Sequence, residues 1–137
     1  MDAELIVDAS VAAKVFFNEE KSDEARALLA SGPVLAAPEL IWLEVASVAV
    51  KRLARGLETR ERAREAVAAL GELIDEFVPL AGLAGQAFAL AETSGCSAYD
   101  AAYLALARDR GLKVLTADRR LVERAAAAGM AALVQAL

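Results

Sequence analysis

The sequence has no histidine and a single cysteine, Cys96, among its 137 residues. Without histidine, it cannot form a Ser-His-Asp triad or a zinc or iron site held by imidazole ligands. A lone cysteine excludes an internal disulfide and a thiolate metal cage, and it suits a reducing compartment. If the protein is an enzyme, its reactive groups must therefore be carboxylates, hydroxyls, lysine and arginine.

Long uncharged segments are also lacking. The longest one, Phe77–Ala91, has 15 residues and is interrupted by Pro79 and two glycines, whereas a membrane-spanning helix needs about 20 mostly apolar residues. The first residues, MDAELIVD, are acidic where a signal peptide would be basic. We therefore expect no membrane segment and a cytoplasmic location.

The length and composition indicate one folded domain. A chain of 137 residues has the length of one domain and can bury roughly 68% of its unfolded surface. Hydrophobic residues make up 58% of the sequence, which argues against disorder. Neither a linker nor an internal repeat is visible, so we expect residues 1–137 to form a single domain.

Short apolar segments alternate along the chain with segments of helical periodicity. The predicted strands are 4–8, 34–37, 78–80, 113–117 and 132–137. The predicted helices are 10–18, 21–31, 38–55, 59–77, 83–94, 98–110 and 118–129, with Pro38 in the first turn of the third. This alternation predicts an α/β fold, a three-layer α/β/α sandwich with a mainly parallel central sheet.

Two acids directly follow predicted strands. Asp8 ends the first strand, and Asp118 follows the strand KVLTA and opens a helix. In open α/β sheets, binding sites lie beyond the carboxyl ends of the strands. Each residue alone can equally be interpreted as a turn or helix-capping residue.

Two further acids lie in apolar helices. Glu44 stands in PELIWLEVASVAV, where burying a charge is costly unless it is paired or bound to a metal. Alternatively, Glu44 is partly exposed at the edge of the apolar face of this helix. Asp100 stands in SAYDAAYLALA, where Ser97 and Asp100 also match a helix-capping box.

Taken together, these four acids suggest a metal site. Carboxylates brought together in a site of low dielectric repel one another, and a hard divalent cation makes such a cluster favourable. Ligands that are all oxygen suit Mg²⁺ or Mn²⁺. The hydroxyls of Ser10 and Thr116, each two residues from an acid, are placed to orient these carboxylates.

Around the first two acids, the sequence resembles the PIN-domain family, and most closely its VapC-type toxins of toxin–antitoxin pairs. The segment IVDAS resembles the family's first-strand motif D-x-S/T, with Asp8 as the acid. The segment LEVASVAVKRLARG resembles the helix with the second acid, here Glu44. Ser47 stands where many members carry asparagine, which is the one departure from the pattern.

The third and fourth motifs follow in the same order. SAYDAAYLALA resembles the third-acid motif with Asp100, and LTADRRL resembles the T-x-D motif with Thr116 and Asp118. The similarity extends over nearly the whole chain, and these last two motifs are fairly specific because they lie close together.

The resemblance implies a Mg²⁺-dependent endoribonuclease, with Mn²⁺ as a substitute, that acts as the toxin of a type II toxin–antitoxin pair. A water molecule activated by the metal would attack an RNA phosphodiester. The residues that would hold the metal and catalyse are Asp8, Glu44, Asp100 and Asp118, supported by Ser10, Ser47 and Thr116. A net charge of −5 argues against a nucleic-acid partner, but these acids account for most of it.

The resemblance also implies a cognate antitoxin that blocks the site. The segments IWLEVASVAV and TRERAREAVAALGELIDEF are predicted helices with apolar faces, which can form a groove for a partner helix. An acidic pocket beside that groove would attract an arginine of the partner. The remaining apolar surface suits a two-fold homodimer. Alternatively, these helices simply cover the sheet.

Three other functions are open to a sequence of this kind. A haloacid-dehalogenase-like phosphatase also has an aspartate after the first strand, but Ser10 occupies the second acid position of its D-x-D motif. A receiver domain would need an acid pair near the first strand and a phosphorylatable aspartate ending a middle strand, and neither is evident. The third is a catalytically silent PIN-like protein used for binding or regulation, against which the presence of all four acids argues.

Overall fold

The computed structural model describes residues 2–137. Within them, five strands form one sheet: β1 (Leu5–Val7), β2 (Leu35–Pro38), β3 (Glu76–Val78), β4 (Val114–Thr116) and β5 (Val134–Ala136). All four pairs of neighbouring strands are parallel, and the order is β3-β2-β1-β4-β5. The chain therefore builds outward from β1 in one direction and then returns to build on its other side. This reversal between β1 and β4 creates the crevice where α/β proteins bind ligands.

Seven α-helices cover this sheet within the described residues. They are α1 (Ala9–Phe16), α2 (Ser22–Ala30), α3 (Ile41–Ala54), α4 (Arg60–Leu73), α5 (Ala84–Ser94), α6 (Ala98–Arg110) and α7 (Arg119–Ala127). None of them combines the length and the apolar composition that crossing a membrane requires.

Side chains of successive strand residues point to opposite faces of the sheet, and each face has its own core. On one face, Ile6 and Val114 pack with buried residues of α5, α6 and α7. On the other face, Val7 and Leu115 pack with buried residues of α1 to α4. The predicted three-layer α/β/α sandwich with a parallel sheet is therefore confirmed.

The position of α6 in the fold explains why its sequence is apolar on nearly every side. Residues 101–107 are all buried, because the helix lies between the sheet and α5. A helix that is hydrophobic all round is a core helix. Its amino-terminal end nevertheless reaches the surface, where Ser97 is exposed and Asp100 is half-buried.

Two predicted boundaries are wrong. Pro38 is the last residue of β2, and α3 begins at Ile41. A proline is tolerated there because the following residue, Glu39, donates its N–H to the carbonyl of Val78 at 2.9 Å and extends the pairing with β3.

The second error concerns the end of α4, which stops at Leu73 and is followed by β3 at Glu76–Val78, two residues before the predicted strand. Hydrogen bonds of Asp75 join the chain to β2 at this point. Its N–H donates to the carbonyl of Leu35, and its carboxylate accepts from the N–H of Leu35 at 2.8 Å. These bonds compete with continuation of the helix, whose local periodicity runs on past this point.

Candidate active site

The four predicted acids lie at the amino-terminal ends of four different helices. Asp8 caps α1 and Asp118 caps α7, while Glu44 and Asp100 lie in the first turns of α3 and α6. The positive end of a helix dipole stabilises a nearby carboxylate. The capping interpretation of Asp8 and Asp118 is therefore confirmed, and it is compatible with a binding site at the same edge of the sheet.

Asp8 is the buried centre of this group. Its carboxylate accepts hydrogen bonds from the hydroxyl of Ser10 at 2.5 Å, from the hydroxyl of Thr116, and from the N–H of Val11 at 3.2 Å. Burial raises the pKa of Asp8, these hydrogen bonds oppose the rise, and the charge of nearby Asp118 adds to it.

The two hydroxyls around Asp8 have fixed directions. Ser10 Oγ accepts the N–H of Ala117 at 2.9 Å, and Thr116 Oγ1 accepts the N–H of Asp118 at 2.9 Å. Each hydroxyl donates its own hydrogen to Asp8, because the oxygens of an ionised carboxylate can only accept. The loop between β4 and α7 is thus tied to the end of β1, as predicted for hydroxyls that orient carboxylates.

Glu44 is half-buried and is held by a residue that sequence analysis did not identify as functional. The hydroxyl of Tyr103 donates to Glu44 Oε1 at 2.7 Å. Burial raises the pKa of Glu44, the bond from Tyr103 opposes this, and the charges of Asp8 and Asp100 raise it further. Tyr103 lies one turn after Asp100 on α6, so helical spacing was a signal that could have identified it.

Asp100 pairs with an arginine that sequence analysis also missed. Arg124 Nη1 donates to Asp100 Oδ2 at 3.1 Å, and the pair is partly exposed. The predicted capping box is formed on one side, since Ser97 Oγ accepts the N–H of Asp100 at 3.1 Å. No local pattern in α7 distinguishes Arg124 from its other arginines, so only the tertiary structure identifies it.

The remaining predicted supporting residue, Ser47, is exposed one turn beyond Glu44 on α3. Two arginines near the ends of α3 and α6, Arg52 and Arg110, are engaged in ion pairs with glutamates. Arg52 pairs with Glu58, and Arg110 pairs with Glu76 at 2.6 Å.

The charge of Asp118 raises the pKa of Asp8, and the charges of Asp8 and Asp100 raise the pKa of Glu44, so each acid lies near at least one other. All their donor atoms are carboxylate oxygens, which fits a hard divalent cation. Within residues 2–137, however, no three acidic or cysteine side chains are already close enough together to hold an ion. Binding an ion among all four acids therefore requires at least one of these side chains to rotate.

The raised pKa of buried Asp8 predicts how the free energy of unfolding depends on pH. Because its pKa is higher in the folded than in the unfolded state, the unfolded state loses the proton first as pH rises. The free energy of unfolding without metal therefore falls as pH rises from about 4, the ordinary pKa of aspartate, through the higher pKa of Asp8 in the folded state. Asp8→Asn should reduce this fall and be more stable than the parent at pH 7, because asparagine also caps helices.

Urea unfolding in EDTA across this pH range measures the effect. Asp23→Asn, at an exposed position of α2, is the control and should follow the parent. A stability difference between Asp8→Asn and the parent that stays the same at every pH would contradict the prediction.

Comparison with known proteins supports the same assignment of the fold. The PIN domain family model matches residues 5–127. Ribonuclease VapC3 of Pyrobaculum aerophilum is 40% identical over 125 residues, which cover 88% of this chain and 93% of that protein.

Two solved structures share the fold. VapC20 of Mycobacterium tuberculosis, a Sarcin-Ricin loop cleaving toxin, superposes with a TM-score of 0.71 at 21% identity, covering 88% of this chain and 94% of that one. The DNA-bound VapBC of Salmonella typhimurium gives a TM-score of 0.65 at 21% identity, with 98% of both chains covered. With the family match and the relative at 40% identity, the chain belongs to the PIN domain family, among its VapC-type proteins.

Proposed function

We propose that this protein is a divalent-metal-dependent endoribonuclease and the toxin of a type II toxin–antitoxin pair. The observation that carries the proposal is the placement of four carboxylates at the amino-terminal ends of four helices of a PIN domain, with Asp8 at the β1/β4 crevice. Its 40% identity to Ribonuclease VapC3 supports RNA as the substrate. The two cores share one sheet, which supports a single domain, and an RNA substrate suits a cytoplasmic location.

Each residue has a proposed part in this reaction. Asp8, Glu44, Asp100 and Asp118 would hold Mg²⁺, or Mn²⁺ in its place. Bound there, the cation would supply Lewis-acid stabilisation of charge on the phosphate and activation of the attacking water. Ser10 and Thr116 hold Asp8 in place, and we assign Ser47 an outer contact near Glu44. Arg119, next to Asp118 at the start of α7, is placed to meet an RNA phosphate.

Cleavage of total RNA, with Mg²⁺, with Mn²⁺ and with EDTA, tests the function. We expect internal cleavage that requires the metal. Release of phosphate from small phosphomonoesters without RNA cleavage would instead support a dehalogenase-like phosphatase. Retained binding of RNA or of a protein partner without any cleavage would support the silent PIN-like alternative.

The helices α3 and α4 leave a groove of about 470 Å³ that we assign to the antitoxin. Its floor is apolar, with Val50 and Leu53 from α3 and Val67 from α4, and Arg60 and Arg64 contribute positive charge. This lining suits an amphipathic helix with acidic residues flanking its apolar face. We propose that the same partner places an arginine among the site carboxylates.

A second apolar surface lies beside the amino-terminal ends of α3 and α6. It forms a groove of about 620 Å³ and includes the exposed side chains of Leu43, Phe88 and Tyr99. Exposed apolar patches of this kind mark interaction surfaces, and a two-fold dimer is the commonest assembly of a chain with itself. We assign this surface to the homodimer.

These two assignments predict separable effects of two substitutions. Val50→Lys should weaken binding of the product of the neighbouring gene by more than about tenfold, because it buries a charge in the α3/α4 groove that Arg60 and Arg64 repel. Phe88→Glu should convert the dimer to a monomer by the same mechanism while leaving that binding intact. Co-expression followed by size-exclusion chromatography with light scattering measures both. If the parent protein is a monomer and does not bind the product of the neighbouring gene, both proposed interfaces are wrong. The nuclease proposal does not depend on this result.

A further inference from the structure

We propose that Tyr103 is a positioning residue of the carboxylate site, whose hydroxyl holds Glu44 in the orientation that cation binding requires. This inference rests on the proposed metal-dependent function. It extends that function to a residue outside the four acids and their hydroxyl neighbours.

The position of the Tyr103 hydroxyl carries the argument. The side chain is 2% exposed, yet its hydroxyl ends in the acidic group and not among apolar atoms. It donates to Glu44 Oε1 at 2.7 Å. An ionised carboxylate can only accept, so the hydrogen of the Tyr103 hydroxyl is directed to Glu44.

This hydrogen bond joins two elements of the site. Tyr103 belongs to α6, one turn after Asp100, and Glu44 belongs to α3. The phenol therefore ties the helix that carries Glu44 to the helix that carries Asp100. It bonds one oxygen of the Glu44 carboxylate, and this also sets the direction of the other oxygen.

The surroundings of Glu44 explain why its carboxylate needs a hydrogen-bond donor. The carboxylates of Asp8 and Asp100 both repel it, and the apolar residues of α3 offer it no hydrogen bond of their own. Without a donor, repulsion favours rotamers that turn the carboxylate away toward solvent. Burial and the neighbouring charges of Glu44 and Asp8 raise the pKa of Tyr103 well above its ordinary value, so the donor is retained at neutral pH.

A purely structural role for Tyr103 makes a different prediction. If the ring only filled the core, phenylalanine would replace it with no effect on the site, since the two rings have nearly the same shape. Tyr103→Phe therefore removes the hydroxyl alone. Thr93→Val is a matched control, because it also removes one hydroxyl with little change of shape, and the exposed Thr93 hydroxyl bonds only carbonyls of its own helix, α5.

Calorimetric titration of the whole protein with Mn²⁺ alone tests the inference. Loss of a partner that orients a metal ligand typically lowers metal affinity roughly 10–100-fold. We expect a weakening in this range for Tyr103→Phe and parental affinity for Thr93→Val. In the Glu44→Gln background, removal of the same hydroxyl should have no further effect, because Tyr103 acts through Glu44.

The outcomes separate the inference from the proposed function. Parental Mn²⁺ affinity in Tyr103→Phe, or an equal loss in the Glu44→Gln background, would overturn the positioning role alone. A parent protein that binds no Mn²⁺ would overturn the metal site and this role together. Circular dichroism of each variant without metal checks that the fold is intact, and Tyr103→Leu, which empties more of the site, should weaken binding at least as much.

Discussion

The Asp100→Asn variant should lose more than about 100-fold of its metal-dependent RNA cleavage, since disturbing the outer partners of a metal site alone typically costs roughly 10–100-fold. The substitution keeps the size and shape of the side chain and removes one charge from the proposed ligand set. The fold should be retained, because Ser97 caps α6 through the backbone N–H of residue 100 and the asparagine oxygen can still accept from Arg124.

Asp109→Asn provides the matched control, since it makes the same change at an exposed position of the same helix. It should cleave RNA like the parent. Initial rates of RNA cleavage at saturating Mg²⁺ and Mn²⁺, with circular dichroism as a check of folding, measure the effect. Parental cleavage by Asp100→Asn under the same metal would show that Asp100 is not a ligand.

Metal binding should also stabilise the folded protein by a large amount. The carboxylates repel one another in the absence of a cation, and a cation that binds only the folded state shifts the equilibrium by mass action. At one hundred times Kd the gain is about 2.7 kcal/mol. For a domain of this size it corresponds to a rise in Tm of roughly 10 °C.

Thermal melts in EDTA and in increasing Mn²⁺ measure this gain. Asp118→Asn should lose most of the response and melt higher than the parent in EDTA, because asparagine preserves the cap of α7 while removing one repelling charge. Glu65→Gln, exposed on α4, should respond like the parent. Identical midpoints over a wide range of Mn²⁺ concentration would contradict a metal site.

Much of the fold follows from local patterns in the sequence. Residues 101–107 are apolar on every side, which predicted a buried helix, and the glycines that end several helices mark their boundaries. The predictions failed where tertiary hydrogen bonds override local preference. Asp75 draws the chain from α4 into β3 two residues early, and Pro38 remains in β2 because Glu39 continues the pairing with β3.

The site was predictable as a set of residues but not as an arrangement. The four acids stand out because each one follows a strand or interrupts an apolar helix, and their order matches the family motifs. Tyr103 and Arg124 were not identified, although they hold two of these acids. The helical spacing from Asp100 was a signal for Tyr103, whereas an arginine in a basic helix is ordinary in sequence and only its partner gives Arg124 a role.

By itself, the sequence determined the alternation of strands and helices, the exclusion of histidine and thiolate chemistry, and the identity of the acids. These properties depend on residue type and on spacing within a single element. The tertiary structure alone decided that Thr116 meets Asp8 across 108 positions and that Tyr103 meets Glu44 across 59. Such contacts depend on the order of strands in the sheet and on helix packing, which bring together elements that local periodicity describes one at a time.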